Sequence, residues 1–515
     1  NKADELFYEC KYKESINEYK KLLESGKTQA YFNMKIAEIY SVEGDFENSR
    51  KYIKIAKNYK DNSALILNYI MFTELMNKDY ESALSDGKIA FKAHPKDKQI
   101  IKTLFTVYMV NGNIDEAKNV ISNYEVKSNS AYDIAEHSGM LLILGNWDEG
   151  LNELKSAWNV NKDEYKIYDV LAQVYTYNKD ILLQKITKLE SENKDDDCYK
   201  MWLAKLYSED SDTADDADKL LKSINTKKSG NIEINLIKAS VLQNEGKDKE
   251  ADNLIQSIIK KYPNDYRVLH TAGWYYLNKN EVDLSDKYCR LSIIKNKNYP
   301  DNYSFLMPKI LAKEGRSKDS EPYFRQAMYK EPYNYNIMLN IAEYYWSTEK
   351  NADKALEYFD FAGLLRPQDA EIKYKKAFIY ISEKKNDEAV NILKDCIKID
   401  DSIPKYHRTL GTIYLQSGKN DDAIKEIREA YSDDESDILN LNNAGCYYIT
   451  FDSSTNIEKG VYNLQKAYEG INSSTDKYTK DTITDNYNKA KKLLNDYTNG
   501  TSNQQIKVPE FIFFY

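Results

Sequence analysis

Apolar residues recur at helical spacing between Tyr406 and Tyr431, in two short runs that are separated by Gly418. The interval of three to four residues within each run predicts two amphipathic helices, and the glycine predicts a tight turn between them. Small residues at Gly411 and Ala423 let the two helix backbones approach closely. A hairpin of this size cannot bury its own apolar face, so it needs a neighbouring hairpin on each side.

The same arrangement returns along the rest of the chain at a nearly constant interval. One column of small residues has spacings of 34, 34, 34 and 33 positions: Ser15, Ser49, Ala83, Ala117 and Gly150. A non-repetitive globular fold does not impose such a column. The interval predicts an all-α fold of about fourteen tandem hairpins that reach Ile471.

The hairpin at 406–431 resembles the tetratricopeptide repeat (TPR), a helix–turn–helix unit of about 34 residues. In that family the first helix carries a large apolar residue beside a small one, with an aromatic residue one turn later. The second helix carries a small, a bulky and another small residue. Six residues occupy these positions here: Leu410, Gly411, Tyr414, Ala423, Ile427 and Ala430. The resemblance implies an α-solenoid in which the hairpins form a right-handed superhelix.

The quality of the repeats divides the chain into predicted regions. The second helix around Ile181 to Leu189 has lost its small residues, and a polar, acidic turn follows Tyr207. A change of curvature or a hinge is therefore expected over roughly Thr176 to Asn231. A solenoid must end in a helix with one polar face, and the Lys-, Asp- and Asn-rich stretch after Asp476 fits this role. The predicted regions are N-terminal TPR units over 1–175, degenerate units over 176–230, C-terminal units over 231–471, a capping helix over 472–500 and an apolar tail over 501–515.

The tail ends in IKVPEFIFFY, which is apolar and rich in aromatic and β-branched residues. Such a segment is an aggregation hazard when it is exposed, so we expect it to be covered. One interpretation is that it folds back onto the capping helix or the outer face of the last units. The other is that it lies in an inner groove, of its own chain or of a neighbouring copy, as an internal ligand.

Composition narrows the classes of function. Lys and Arg total 73 against 82 Asp and Glu, which gives a net charge of −9 and disfavours nucleic acid as a partner. No run of 18 or more apolar residues occurs, so we expect no membrane span within this chain. Five scattered cysteines suggest neither a disulfide framework nor a metal site, and we expect free, buried thiols.

No catalytic motif is present in the sequence. The four histidines form no HExxH arrangement, and neither a phosphate-binding GxxxxGK[ST] loop nor a GxSxG elbow occurs. We therefore expect a non-enzymatic protein without cofactor or metal. One family mode, in which Lys and Asn grip the acidic C-terminus of chaperones, is disfavoured. Lys102 fits the first lysine position, but Thr106 stands where asparagine is required.

The resemblance implies that the first helix of each unit lines a concave face. Large aromatic residues flanked by Arg and Asn at its inward positions resemble binding hot spots. The alternative is that these rings only pack between adjacent first helices. The candidate ligand-binding residues are Arg267, His270, Trp274, Asn302, Phe305, Lys309, Trp346, Tyr374, Phe378 and Arg408.

These observations predict a scaffold that binds a peptide or protein segment along the concave groove, because a preformed groove lowers the cost of ordering the ligand. Two alternatives stay open. One is a cell-envelope component that binds polysaccharide or assists its export, since aromatic stripes also suit sugar rings. The other is a peptide-sensing regulator, which requires a DNA-binding domain upstream.

The compartment depends on residues before Asn1, because the first repeat has lost its opening turn. A removed signal peptide, lipid anchor or membrane helix, as in a bacterial lipoprotein, implies a membrane-anchored protein outside the cytoplasm. An ordinary trimmed start implies a cytoplasmic protein.

Overall fold

The computed structural model of the chain describes residues 1–26, 28–224, 232–452, 456–500 and 507–515. Across these ranges the secondary structure is helical, without strands, which confirms the predicted all-α fold. The described residues form two compact units, Asn1–Leu365 and Arg366–Tyr515. Parts of two predicted regions, at 225–230 and 501–506, lie outside the described residues, and the predicted region boundaries stay predictions.

Helix pairs in tandem build the first unit. Its helices begin with α1 Lys2–Tyr8, α2 Tyr12–Glu24, α3 Gln29–Glu43, α4 Phe46–Asn58, α5 Ala64–Met76, α6 Tyr80–Ala93, α7 Lys98–Val110, α8 Ile114–Ile121, α9 Ala131–Ile143 and α10 Trp147–Val160. They continue with α11 Tyr165–Glu192, α12 Asp197–Tyr207, α13 Ala214–Ser223, α14 Ile232–Asn244, α15 Asp248–Lys261, α16 Tyr266–Asn278, α17 Val282–Lys295, α18 Met307–Lys313, α19 Glu321–Lys330, α20 Tyr335–Ser347 and α21 Ala352–Leu365.

The second unit has three helix pairs and a longer last helix. These are α22 Ala370–Ser382, α23 Asn386–Ile399, α24 Pro404–Gln416, α25 Asn420–Asp433, α26 Ile438–Thr450, α27 Ile457–Glu469 and α28 Lys477–Thr498. Helix α28 packs on α26 and α27 with one face and leaves its other face in solvent.

The small-residue column lies where the two helices of a hairpin meet. Ser15, Ser49 and Ala83 are fully buried there. The Ser15 hydroxyl donates to the main-chain oxygen of Ala3 at 2.7 Å, and Ser49 makes the equivalent bond to Ala37 at 2.8 Å. A larger side chain at this contact would force the helices apart. The repeat interval read from the sequence is therefore a packing requirement.

Two irregular segments lie in the later part of the first unit. Helix α11 contains Asn178 with φ −146° and ψ 48°, so two helical stretches join at this residue without a regular turn. This residue falls inside the region where the sequence predicts a change of curvature. Residues Asn302–Leu306 form a π-helical turn directly before α18, whose second residue is Pro308. Proline cannot donate the next helical hydrogen bond, which favours an irregular turn at this position.

Helix α19 and the turn after it cover part of the inner face of the first unit. Gln99 Nε2 donates to the main-chain oxygen of Tyr329 at 2.7 Å, and Lys102 Nζ donates to that of Lys330 at 3.1 Å. Lys102 also pairs with Glu136 Oε1 at 3.0 Å. The lysine that fits the chaperone-binding position is thus used within the chain. The sequence did not predict this covering.

A buried ion pair holds the same turn in place. Lys166 on α11 is fully buried, with Nζ 2.6 Å from Glu331 Oε1 and 3.0 Å from Asp169 Oδ2. Nearby, the Tyr329 ring packs edge-on against Phe72 at a centroid distance of 5.1 Å. Loss of one partner from a buried ion pair leaves an uncompensated charge, so this contact strongly disfavours release of α19.

Candidate functional site

The tail residues 507–515 lie along α24, α26 and α28 of the second unit. The Asn443 amide pairs with the Phe514 backbone, because Nδ2 donates to Phe514 O at 2.7 Å and Oδ1 accepts from Phe514 N at 2.8 Å. Asn486 pairs with Ile512 in the same way, at 2.8 and 3.2 Å. The bonded residues alternate as in an extended strand. The second unit therefore holds this segment by its main chain.

Two neighbouring side chains add to these contacts. Asn442 Nδ2 donates to Ile512 O at 3.0 Å, and Thr412 Oγ1 donates to Phe514 O at 2.6 Å. Asn442 and Asn443 are fully buried, so their amides need these partners. The tail groove is the set of side chains that bind the tail backbone: Arg408, Thr412, Asn442, Asn443 and Asn486.

Aromatic side chains of the tail enter apolar pockets beside this backbone contact. Phe511 packs with Ile449 and Leu464, and Phe514 packs with Leu441. Both phenylalanines are only 8% exposed. Burial of one such side chain contributes roughly 1.5–3 kcal/mol, so the pockets add an affinity for aromatic residues to the backbone grip.

Two of the predicted site residues, Arg408 and Phe378, contact the end of the tail, and a third, Tyr374, packs against Phe378. Arg408 Nε donates to the main-chain oxygen of Tyr515 at 3.0 Å, and its guanidinium pairs with Asp437. The Phe378 ring lies 6.1 Å from the Tyr515 ring and 5.1 Å from Tyr374. These inner residues therefore pack with one another and also touch an extended segment. The two interpretations of the inner aromatics are not exclusive here.

The asparagines of the tail groove were missed by the sequence analysis. Asn443 follows Thr409 by 34 positions, and three asparagines, at 440, 442 and 443, lie in a helix whose other residues are mostly apolar. A comparison in repeat register could therefore have found Asn442 and Asn443. Asn486 lies on the capping helix, outside the repeat register, so no repeat pattern points to it.

In the first unit, three predicted residues form a hydrogen-bonded chain. Trp274 Nε1 donates to His270 Nε2 at 3.1 Å, and His270 Nδ1 lies 2.9 Å from Asn302 Oδ1. These partners assign the ring proton to Nδ1. Asn302 Nδ2 donates in turn to the Ser292 hydroxyl at 2.8 Å. Burial lowers the pKa of His270 to about 4, so the imidazole is neutral near pH 7.

Arg267 and Phe305 border the same region. The Phe305 ring is 39% exposed and lies 4.6 Å from the Trp274 ring. The guanidinium of Arg267 pairs with Asp265 at 2.7 Å and also donates to the main-chain oxygen of Asp163. Arg267 is therefore already engaged by its own chain.

A cavity of about 370 Å³ opens beside these residues, among α11, α12, α14 and α16. Burial raises the pKa of Glu233 to about 7, and burial together with Glu331 raises that of Asp301 to about 6. These carboxylates could not be predicted as a group from the sequence, because folding brings them together from separate repeats. We call this space the acidic cavity, and its charged lining is Asp169, Glu209, Glu233, Asp301, Lys205 and Arg267.

The two remaining predicted residues lie elsewhere in the first unit. Lys309 on α18 and Trp346 on α20 are both half-buried. Neither is among the residues that line the acidic cavity.

Metal sites, membrane-spanning helices and disulfides can be assessed within the described ranges. Within them, no group of three or more His, Cys, Asp or Glu side chains has an arrangement that could hold a metal ion. No helix there combines the length and apolarity needed to cross a membrane. The five cysteines are free thiols, and all except the half-buried Cys10 are buried.

Comparison with known families identifies the repeats. Residues 235–265 and 370–403 each match a family model described as tetratricopeptide repeat. No curated protein matches this chain. The chain therefore contains tetratricopeptide repeats, and its helix pairs form a TPR solenoid. This fold is a scaffold for protein interaction.

Solved structures with a related arrangement have low sequence identity to this chain. A chain of the APC/C hetero-tetramer Cut9-Hcn1 is 13% identical, with 95% of each chain covered and a TM-score of 0.38. Yeast Tom70 is 15% identical, with 91% of this chain and 94% of that chain covered and a TM-score of 0.37. YrrB, described as a TPR protein with an unusual peptide-binding site, is 14% identical over 37% of this chain and 96% of its own, with a TM-score of 0.28.

Proposed function

We propose that this chain binds an extended, aromatic-rich peptide segment of a partner protein in the tail groove. The observation that carries the proposal is the paired contact of Asn443 with both main-chain groups of Phe514. Such a contact recognises an extended backbone whatever its side chain. Any segment with the same backbone conformation can replace the tail.

The pockets beside the groove supply the selectivity. They accommodate Phe511 and Phe514 among apolar side chains such as Ile449, Leu464 and Leu441. A partner segment should therefore carry aromatic side chains at the corresponding positions. The groove side chains are amides, a hydroxyl and a guanidinium that is paired with Asp437. The groove can therefore hold the main chain of a partner segment that carries no charged group. This inventory also favours a non-catalytic role.

The second unit is a better candidate for partner binding than the covered stretch of the first. In the first unit, α19 contacts first-helix residues such as Gln99 and Lys102. In the second unit, residues 507–515 of the tail, which form no helix, lie on first helices such as α24 and α26. A tethered ligand acts at a high effective concentration, so an external peptide has to compete with it.

A titration tests the proposal directly. A labelled peptide with the sequence of residues 507–515 is added to the chain that ends at Gly500 and to the full chain, and fluorescence anisotropy is recorded. We expect the shortened chain to bind the peptide, and the full chain to bind it more weakly because its own tail occupies the tail groove.

Asparagine substitutions in the shortened chain locate the binding surface. Asn443→Ala removes two hydrogen bonds and should weaken peptide binding by about 1–3 kcal/mol, or roughly 5- to 150-fold. Asn463→Ala is the matched control, because the Asn463 amide on α27 donates to Lys459 of its own helix and makes no bond to the described part of the tail. Equal affinity of the two variants, or no binding by the shortened chain, would contradict the proposal.

A further inference from the structure

The acidic cavity contains more negative than positive charge. Four carboxylates and two cations line it, and both cations already have carboxylate partners. Arg267 pairs with Asp265 at 2.7 Å, and Lys205 Nζ pairs with Glu209 at 2.6 Å. His270 adds no charge, because Asn302 and Trp274 hold its ring in a neutral form.

Glu233 is the least satisfied of these carboxylates. It is 6% exposed and lines the cavity, and its carboxylate makes no hydrogen bond or ion pair within the described residues. Asp301 likewise forms no ion pair within the described residues, and the Tyr299 hydroxyl only partly offsets the effect of burial on its pKa. A buried carboxylate without a partner is costly, and both groups respond with a pKa raised by burial. A cation that enters the cavity removes this cost.

Aromatic rings complete the wall of the cavity. Trp274 and Phe305 lie 4.6 Å apart, and Tyr299 packs edge-on against Tyr165 at 4.9 Å. Ring faces attract ammonium and guanidinium groups, and they also contact the aliphatic arm that carries such a group. In the described ranges the carboxylates are not grouped closely enough to hold a metal ion, which favours an organic cation.

We propose that the acidic cavity binds an alkylammonium or guanidinium group, with Glu233 and Asp301 as its counter-ions and Trp274 and Phe305 against its aliphatic arm. Two sources share this chemistry: a lysine or arginine side chain of a partner protein, and a free polyamine. A cavity of about 370 Å³ is large enough for either group. This site lies in the first unit and does not depend on the function proposed for the tail groove.

Calorimetric titration of the full chain tests the proposal, at low salt and at a pH above the Glu233 pKa of about 7. The probes are cadaverine, agmatine, a short acetylated lysine peptide and, as the neutral control, pentan-1-ol. We expect at least one amine to bind and the alcohol not to bind. Binding of the free amines alone identifies a polyamine site, whereas binding of the peptide identifies a site for a partner's side chain, and either result supports the proposal.

Charge-neutral variants then locate the bound amine. Glu233→Gln should weaken its binding by about 10- to 100-fold, since hydrogen bonds to a charged group are among the stronger ones. Asp252→Asn removes the same charge on α15, where Asp252 is paired with Tyr275 and Lys279, and should leave binding unchanged.

Three results would overturn the proposal. One is that no amine binds to the unmodified chain. Another is that pentan-1-ol binds as well as the amines, a comparison that needs no variant and holds even if Glu233→Gln does not fold. The third is that Glu233→Gln and Asp252→Asn have the same effect, which would indicate a general charge effect.

Discussion

Alanine substitution at glycines tests the helix-pair packing that defines the repeats. Gly411 and Gly445 are 34 positions apart and occupy equivalent places in successive units. A Cβ on Gly445 would lie 2.8 Å from the main-chain oxygen of Gly460 and 3.0 Å from the main-chain nitrogen of Leu464. Backbone atoms of a packed helix cannot move aside as a side chain can, so α26 and α27 would have to separate.

The change in the free energy of unfolding depends on two opposing terms, the cost of overpacking and the gain in helix propensity. Inserting a methyl group into a packed contact costs about 1–3 kcal/mol, and alanine gains about 1 kcal/mol over glycine in helix propensity. Gly445→Ala, whose Cβ meets backbone atoms, should therefore lower the free energy of unfolding by up to about 2 kcal/mol. At Gly411 the added Cβ would meet Ala423 O at 3.2 Å, a contact that small shifts can relieve, so the net effect should be near zero. Gly363→Ala meets no atom within 4 Å and should be stabilising by up to about 1 kcal/mol.

Urea unfolding followed by circular dichroism gives the three values, and amide hydrogen exchange shows whether the loss in Gly445→Ala is confined to α26 and α27. An array of repeats need not unfold in one step, so the exchange data assign the change to a helix pair. If Gly445→Ala were as stable as Gly363→Ala, the close helix approach and the repeat register on which it depends would be refuted.

Three other predictions test separate features. Ala423→Leu overpacks a fully buried small position and should cost about 1–3 kcal/mol in the same unfolding assay, and an unchanged transition would count against the repeat alignment. Lys166→Met leaves buried carboxylates without a cation and should cost about 3–5 kcal/mol, whereas Lys185→Met breaks an exposed pair and should cost about 0–1 kcal/mol; equal costs would contradict the buried ion pair. Glu233 keeps its proton up to about pH 7 in the folded chain but loses it near its ordinary value of 4.5 when unfolded, so its contribution to stability falls as pH rises through this window. Glu233→Gln should therefore gain stability relative to the unmodified chain between pH 4.5 and pH 7, and a constant difference across this range would refute the assigned pKa.

The repeat fold could be predicted from the sequence because its evidence is local and recurs. Small residues at Ser15 and Ser49 are required wherever two helices of a pair touch, and the same requirement returns in each unit. Arg408 was chosen as a candidate residue from the same register. It is one of the few candidate residues that the structure brings against an extended segment.

The remaining features depend on contacts between distant parts of the chain. The covering of the first unit by α19 rests on pairs such as Lys166 and Glu331, which no periodicity connects. The acidic cavity likewise gathers Glu233 and Asp301 from different repeats. The sequence showed that the tail must be covered but left its place open, because Asn486 lies outside the repeat register.

Amide hydrogen exchange of the intact chain, with and without a saturating partner peptide of the same aromatic class, tests the role of the tail groove most directly. In the free chain the main-chain amides of Ile512 and Phe514 donate to Asn486 and Asn443. We predict that these two amides are protected from exchange without the peptide and exchange rapidly once the peptide is added. Helices α24 and α26 should stay protected throughout. Tail amides that remain protected while the peptide is bound would contradict the account, because the partner would then occupy another surface.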